Sequence, residues 1–122
     1  MRNRKAGYAC KHCPVETTLD IIGGKWKGVI LYHLMNKTCR FNEMRRLMPG
    51  ISQRMLTLQL RELEKDGVIH REVYPVVPPK TEYSLTAFGE TLKPIIQEMK
   101  RWGDRYEHHQ EQQLEDVDQN KA

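Results

Sequence analysis

At 122 residues, the chain is long enough for one modest hydrophobic core but too short for two independent domains. Hydrophobic residues make up 39% and charged residues 30%, and no apolar run approaches the roughly 20 residues of a membrane span, so we expect a soluble, helix-rich cytoplasmic protein without a secretion signal. The three cysteines give an odd count, which argues against a structural disulfide framework.

The net charge of +4 is unevenly distributed along the chain. Residues 1–12 contain four basic residues and no acidic ones, and we predict a flexible basic arm there. Residues 37–80 hold nine Lys or Arg residues against five acids, whereas residues 104–122 hold two bases against six acids. A basic middle followed by an acidic tail predicts that the middle of the chain binds a polyanion.

The first two predicted helices are short. Pro14 suits the first position of a helix that ends at Gly23-Gly24, because the missing N–H of proline costs nothing there. A second helix is predicted from Lys25 to Met35, with Val29 flanking its core-facing side and Lys25 and Lys27 exposed. The core-facing residues are expected to be Trp26, Ile30, His33 and Leu34. After it, Thr38–Phe41 is long enough only for an edge strand.

Two further helices are separated by Pro49-Gly50. Asn42 is predicted to cap the first helix, in which Met44, Leu47 and Met48 are expected to face inward. The second begins at Ser52 and is closed by Gly67, with Leu56, Leu60 and Leu63 on one stripe. The opposite side carries Arg54, Thr57, Arg61 and Lys65. Helix, tight turn and helix is the helix-turn-helix arrangement.

After Gly67 the sequence favours β-structure. Residues 68–74 and 81–85 are rich in strand-forming residues, and Pro75 and Pro78-Pro79 between them prevent continued pairing. The two strands therefore predict a β-hairpin, the wing of a winged helix-turn-helix. The expected fold class is mainly α with a small β-hairpin.

Thr86 is predicted to cap a final long helix whose apolar stripe exceeds what one small domain can cover. We therefore predict a homodimer formed through the terminal helices. The expected interface residues are Leu92, Ile95, Ile96, Met99, Trp102 and Tyr106. From about Glu107 we expect the acidic tail to fray.

Four stretches resemble the HxlR family of winged-helix transcription regulators, which is related to the MarR group. They are Cys13–Glu16, Ile22–Lys27, Gln59–Glu64, and His70–Pro75 together with Tyr83–Thr86. The resemblance covers about Cys13 to Tyr106 and implies a homodimer that binds an operator and regulates nearby genes. It divides the chain into a basic arm (1–12), a winged helix-turn-helix domain with its dimerisation helix (13–106) and an acidic tail (107–122).

The helix after Ser52 carries the predicted contacts to double-stranded DNA. Arg54 suits a guanine edge and Gln53 an adenine edge, although an exposed or capping role for Gln53 is equally compatible with the sequence. Ser52 is expected at a phosphate and Thr57 at a thymine methyl. Arg61 and Lys65 lie further along the helix, where phosphate contact is expected.

The wing is expected to lie along the DNA backbone or in the minor groove, with Lys80 as its main cation and Arg71 as the second. Arg40, Arg45 and Arg46 are either further phosphate contacts or ordinary solvated surface. A winged-helix module that binds only other proteins is the alternative function. The basic face opposite Leu56, Leu60 and Leu63 argues against it, because partner-binding helices usually present apolar residues.

Cys13 precedes Pro14 at a predicted helix start, where backbone N–H groups and the helix dipole stabilise a thiolate. We therefore predict an oxidisable thiol that senses a thiol-reactive inducer, as some HxlR-type regulators do through a cysteine at this place; an unreactive thiol is the alternative. Cys10-x-x-Cys13 also permits an intrachain disulfide or half of a metal site, but Cys10, His12, Cys13 and Cys39 lack convincing zinc spacing. We predict no enzyme activity, cofactor or metal.

Overall fold

The computed structural model describes residues 13–120, so the predicted basic arm, with Cys10 and His12, lies outside the described residues. Within this range the helices are α1 (Pro14–Ile22), α2 (Lys27–Leu34), α3 (Phe41–Leu47), α4 (Gln53–Lys65) and α5 (Lys93–Asn120). The strands are β1 (Cys39–Arg40), β2 (Ile69–Tyr74) and β3 (Lys80–Leu85), and a 3-10 helix spans Gly89–Leu92.

The three strands form one antiparallel sheet in the order β1-β3-β2. β2 and β3 make the predicted hairpin, in register from Ile69 opposite Leu85 to Tyr74 opposite Lys80. β1 pairs with the other edge of β3 through Cys39 opposite Tyr83, which confirms the predicted edge strand at its two central residues. The proline-containing segment 75–79 forms the tip of the wing.

The core lies where α2, α3, α4 and the sheet meet. Leu56, Leu60 and Leu63 of α4 are each at most 2% exposed, as their spacing predicts. In α2, Ile30 and Leu34 are buried as expected, but Leu31 is buried too and Val29 is 40% exposed. The prediction for α2 is wrong here because this helix packs against α3, α4, α5 and β3, so its buried surface is wider than one stripe.

The start of α3 also differs from the expectation. Arg40, not Asn42, occupies the N-cap position, and its backbone N–H donates a hydrogen bond to the Glu43 carboxylate at 3.1 Å. Leu47 is 42% exposed, so the prediction that it faces inward is wrong, whereas Met44 and Met48 are buried as expected.

The C-terminal segment begins at Thr86. Its hydroxyl accepts a hydrogen bond from the Gly89 N–H at 2.9 Å and donates to the Gly67 carbonyl at 2.7 Å, so it connects the end of α4 to the 3-10 helix. α5 then continues to Asn120, so the expected fraying from Glu107 is wrong; Glu and Gln are good helix formers, and Gln110 bonds Tyr106 one turn earlier at 2.7 Å. Within residues 13–120, the helices lack the continuous apolar stretch that a membrane-spanning helix requires.

Candidate nucleic-acid interface

α3 and α4 form a helix-turn-helix through residues 48–52. Gly50 adopts a positive φ of 94°, a conformation that glycine takes without steric cost, and Ile51 is buried. The Ser52 hydroxyl accepts a hydrogen bond from the Met55 N–H at 3.0 Å, which confirms Ser52 as the N-cap of α4. The turn therefore holds the first residues of α4 at the surface.

The outer face of α4 is polar and basic. Gln53, Arg54, Arg61 and Lys65 are exposed, and Arg54 has no ion-pair partner within residues 13–120. Thr57 is half-buried, and its hydroxyl donates to the Gln53 carbonyl one turn earlier at 2.9 Å. At about 100° per residue, Arg54, Arg61 and Lys65 therefore lie opposite the core-facing leucines, whereas Gln53 and Thr57 lie at the margin of this face.

Leu58, which the sequence-based prediction does not include, lies on the same face and is 48% exposed. It lines one shallow depression together with Gln53, Arg54, Thr57 and Arg61. The helical period alone predicts that Leu58 lies on this face, because at about 100° per residue Leu58 is nearly opposite Leu56.

The two predicted wing cations both contact carboxylates. Arg71 Nε lies 3.5 Å from Glu64 Oε1, which joins β2 to the end of α4. Lys80 Nζ lies 3.3 Å from Glu82 Oε2 and 4.9 Å from the centre of the Tyr74 ring. Lys80 is the first residue of β3 and so lies beside the wing tip.

Glu82 is shared among the three strands. Besides Lys80, it lies 3.9 Å from Arg40 Nε, and its hydrogen bond to the Tyr74 hydroxyl is the main reason that the pKa of Tyr74 is raised. Arg40 and Arg46 line a groove that continues to the wing tip at residues 76–79. The arrangement gathers cations from β1, β3 and α3 at one edge of the wing.

Cys13 and Cys39 have contrasting environments. Cys13 is exposed at the N-cap of α1, where its carbonyl accepts the Glu16 N–H at 2.8 Å. Cys39 is fully buried in β1 with its sulfur 3.9 Å from the His33 carbonyl oxygen, and burial raises the pKa of its thiol. Of these two, only Cys13 is accessible. Among residues 13–120 no three His, Cys, Asp or Glu side chains cluster as metal ligands would.

The predicted dimer residues divide into two groups. Ile96 is only 3% exposed and Leu92 packs against the core, so both contribute to the chain's own interior. The other four are 41–63% exposed: Ile95, Met99, Trp102 and Tyr106. The rings of Trp102 and Tyr106 stack with their centres 5.4 Å apart.

Exposed apolar side chains on α2 extend this surface, and α1 exposes two more. Val29 and Tyr32 of α2 line the same depression as Met99 of α5, and Val15 and Leu19 of α1 are more than half exposed. The exposed apolar surface therefore includes residues of α2 that the predicted set of interface residues does not contain.

A helix-turn-helix followed by a β-hairpin, with a basic outer face on its second helix, defines a winged helix-turn-helix DNA-binding protein. A family model described as HxlR-like helix-turn-helix matches residues 21–111. The chain belongs to this family and is a DNA-binding transcriptional regulator, as the resemblance implies.

Individual relatives agree with this assignment. The chain is 68% identical over 111 residues to the HTH-type transcriptional regulator YdeP of Bacillus subtilis (strain 168), and the match covers 87% of each protein. The redox regulator HypR is similar in structure in both redox forms. The oxidised form is 67% identical with a TM-score of 0.74, covering 76% of this chain and 96% of HypR. The reduced form is 62% identical with a TM-score of 0.78, covering 82% and 99%.

Proposed function

We propose that two copies of this regulator bind a two-fold symmetric operator, with one α4 in the major groove of each half-site. The observation that carries the proposal is the exposed outer face of α4, where Gln53, Arg54 and Arg61 surround one depression. Half-sites in such complexes are separated by about 34–36 Å, one helical turn, or a multiple of it. DNA-bound copies would work in the cytoplasm, where operator DNA is found.

Within each half-site, the first turn of α4 is assigned to the bases. Arg54 suits a bidentate contact to guanine and Gln53 a contact to adenine, each worth roughly 1–3 kcal/mol of discrimination. Ser52 still has its hydroxyl proton to donate to a phosphate, because the hydroxyl oxygen serves as the acceptor for Met55. Arg61 and Lys65 are assigned to phosphates.

The wing is assigned to the backbone or minor groove through Lys80 and Arg71. Their carboxylate partners, Glu82 and Glu64, do not argue against this role. The Arg71–Glu64 pair is exposed and the Lys80–Glu82 pair is partly exposed, and ion pairs open to solvent are worth only about 0–1 kcal/mol. A nearby phosphate can therefore compete for either cation at little cost.

The test is an operator titration at several salt concentrations. We expect Arg54→Ala combined with Lys80→Ala to weaken binding at least tenfold and to flatten the dependence of log affinity on log salt, since fewer counterions are released. Arg101→Ala combined with Arg105→Ala is the matched control, because it removes the same charge from exposed positions on α5. Equal losses in the two variants, or no preference of the wild type for operator over random duplex, would refute the proposal.

We further propose that Cys13 senses oxidants or electrophiles, with a small thiol-reactive molecule as the inducer. Cys13 is exposed at a helix start, and the similar protein HypR is a redox regulator solved in oxidised and reduced forms. Modification at the start of α1 would act on the dimer, because α1 packs against α2 and its Ile22 lines the same depression as Tyr32 of α2 and Met99 of α5.

Diamide tests this role directly. Operator affinity of the wild type should change on diamide treatment, while Cys13→Ser should be unresponsive. Cys39→Ser is the control for a buried thiol and should respond like the wild type. If the wild type and Cys13→Ser respond identically, Cys13 is not the sensor.

A further inference from the structure

An apolar side chain lies in the middle of the polar outer face of α4. At about 100° per residue, Leu58 is about 160° around the helix from Leu56, and only about 40° from Arg54. Its 48% exposure agrees with this outward direction. Single exposed leucines are common on protein surfaces and need no special cause. This one differs because it shares a depression with the amide of Gln53 and the guanidinium groups of Arg54 and Arg61, which suit DNA.

The neighbours of Leu58 limit what can cover it. Its depression is otherwise lined by polar or charged side chains, of which Arg54 and Arg61 are cationic. If this face enters the major groove, Leu58 is held against base edges and loses its water. The apolar group on base edges in that groove is the C5-methyl of thymine. The complementary occupant is therefore duplex DNA with a thymine beneath Leu58.

Thr57 is the competing candidate for the same contact, and its geometry is less suitable. Thr57 is half-buried, and its hydroxyl is engaged with the Gln53 carbonyl one turn earlier. The helical period places Thr57 about 100° from Leu56 and therefore nearer the core-facing side than Leu58. Leu58 extends further from the helix axis and is more exposed.

We propose that Leu58 is a specificity-determining residue, which packs against the C5-methyl group of one thymine in each operator half-site. The inference rests on the proposed function, since it requires α4 in the major groove. It revises the expected assignment, in which Thr57 meets the methyl group.

Replacing thymine by deoxyuridine removes only the methyl group and so tests the contact directly. After footprinting identifies the operator, each symmetric pair of thymines is replaced in turn. For the wild type we expect one pair at which deoxyuridine weakens binding about fourfold per half-site, or about 16-fold for both, the equivalent of losing one buried methyl group each.

The protein variants assign that methyl group to a side chain. Leu58→Ala should bind the thymine operator more weakly than the wild type and should bind the deoxyuridine and thymine operators equally. Thr57→Ser removes the threonine methyl but keeps the hydroxyl, and it should retain the full wild-type sensitivity to deoxyuridine. Because Leu58 is exposed, the unfolding midpoint of Leu58→Ala should match that of the wild type.

The outcomes separate the two proposals. Suppose that the wild type prefers the operator to random duplex, but that the wild type and Leu58→Ala respond equally to deoxyuridine at every thymine pair. The inference about Leu58 is then overturned and the proposed function stands. Loss of deoxyuridine sensitivity in Thr57→Ser, with Leu58→Ala still sensitive, would transfer the contact to Thr57. If the wild type shows no preference for the operator, both proposals fall.

Discussion

Gly89 determines how closely the terminal segment approaches the start of the wing. A Cβ built at Gly89 would overlap the carbonyl oxygen of Val68, which is backbone and cannot move aside easily. The same junction is held by the Thr86 N–H, which donates to the Val68 carbonyl at 3.1 Å. The absence of a side chain is therefore a packing requirement at this position.

We predict that Gly89→Ala lowers the free energy of unfolding by about 1–3 kcal/mol, the usual cost of overpacking a closed site. Glu90→Ala is the neighbouring control. It removes only an exposed ion pair with Lys93 and should change stability by about 0.5 kcal/mol or less. Urea unfolding measures both; a harmless Gly89→Ala would show that the junction can open without cost.

His33 predicts a pH dependence of stability. Burial lowers the pKa of His33, and the nearby Lys37 lowers it further. The folded protein then binds fewer protons than the unfolded chain near the ordinary histidine pKa of 6.5. The contribution of neutral His33 to the free energy of unfolding is therefore complete above the ordinary histidine pKa. It is lost as the pH falls through the lower pKa of His33 in the folded state.

We expect the urea midpoint of the wild type to decrease between pH 7 and pH 5, and His33→Gln to decrease less. His109→Gln, at an exposed position on α5, is the control and should follow the wild type. Parallel pH profiles for wild type and His33→Gln would contradict the assignment.

At the scale of elements, one ion pair joins α2 to α4. Lys27 Nζ lies 2.6 Å from Glu62 Oε1, and the Lys27 side chain is only 7% exposed. The expectation that Lys27 is exposed is wrong, because α2 begins beneath α4 and the lysine cannot reach open solvent. A buried ammonium needs its carboxylate, whereas Glu62 is one-third exposed and retains contact with water.

We predict that Glu62→Gln costs about 1–3 kcal/mol of stability, because it leaves a buried charge without its counter-charge. Lys27→Met should cost less, since the methionine fills the space of the lysine stem. Asp104→Asn, in the exposed pair with Lys100 at 2.8 Å, is the control and should be nearly neutral. Thermal unfolding measures the loss of stability in each variant. A larger loss for Lys27→Met than for Glu62→Gln would contradict this interpretation.

The elements differ in how far their sequences predict them. α4 has one buried stripe and one exposed face, so a single period describes it and its caps lie where Ser52 and Gly67 indicate. The hairpin is equally local, because β-forming residues and prolines mark its strands and tip. α2 is covered by several elements, so more of its surface is buried than one stripe predicts, whereas in α3 the predicted inward residue Leu47 is left 42% exposed. These are the two helices in which the predicted division between buried and exposed residues is wrong.

For the whole molecule, the exposed apolar face of α5 predicts self-association. Trp102→Lys should shift the protein towards monomer, because it places a charge where four apolar residues are expected to meet a second copy. Operator affinity should fall by about 100-fold or more, since two linked half-site contacts become one. Gln97→Lys adds the same charge at an exposed position on a different side of α5.

Sedimentation velocity and operator titration measure these two effects. Gln97→Lys should remain dimeric and bind normally. If Trp102→Lys sediments like the wild type, the dimer forms through another surface, and α1 with its exposed Val15 and Leu19 becomes the next candidate.

The sequence alone determined the order of the elements, the face of α4 that is buried and the presence of a wing, because these follow from local periodicity and turn-forming residues. Only the tertiary structure decided the burial of Lys27 and the division between the neighbouring residues Ile95 and Ile96, of which one is exposed and the other is in the core. The physical reason is that burial depends on which other elements cover a helix. The residues that cover a helix are distant from it in the chain, so a local sequence pattern does not show which side of the helix they bury.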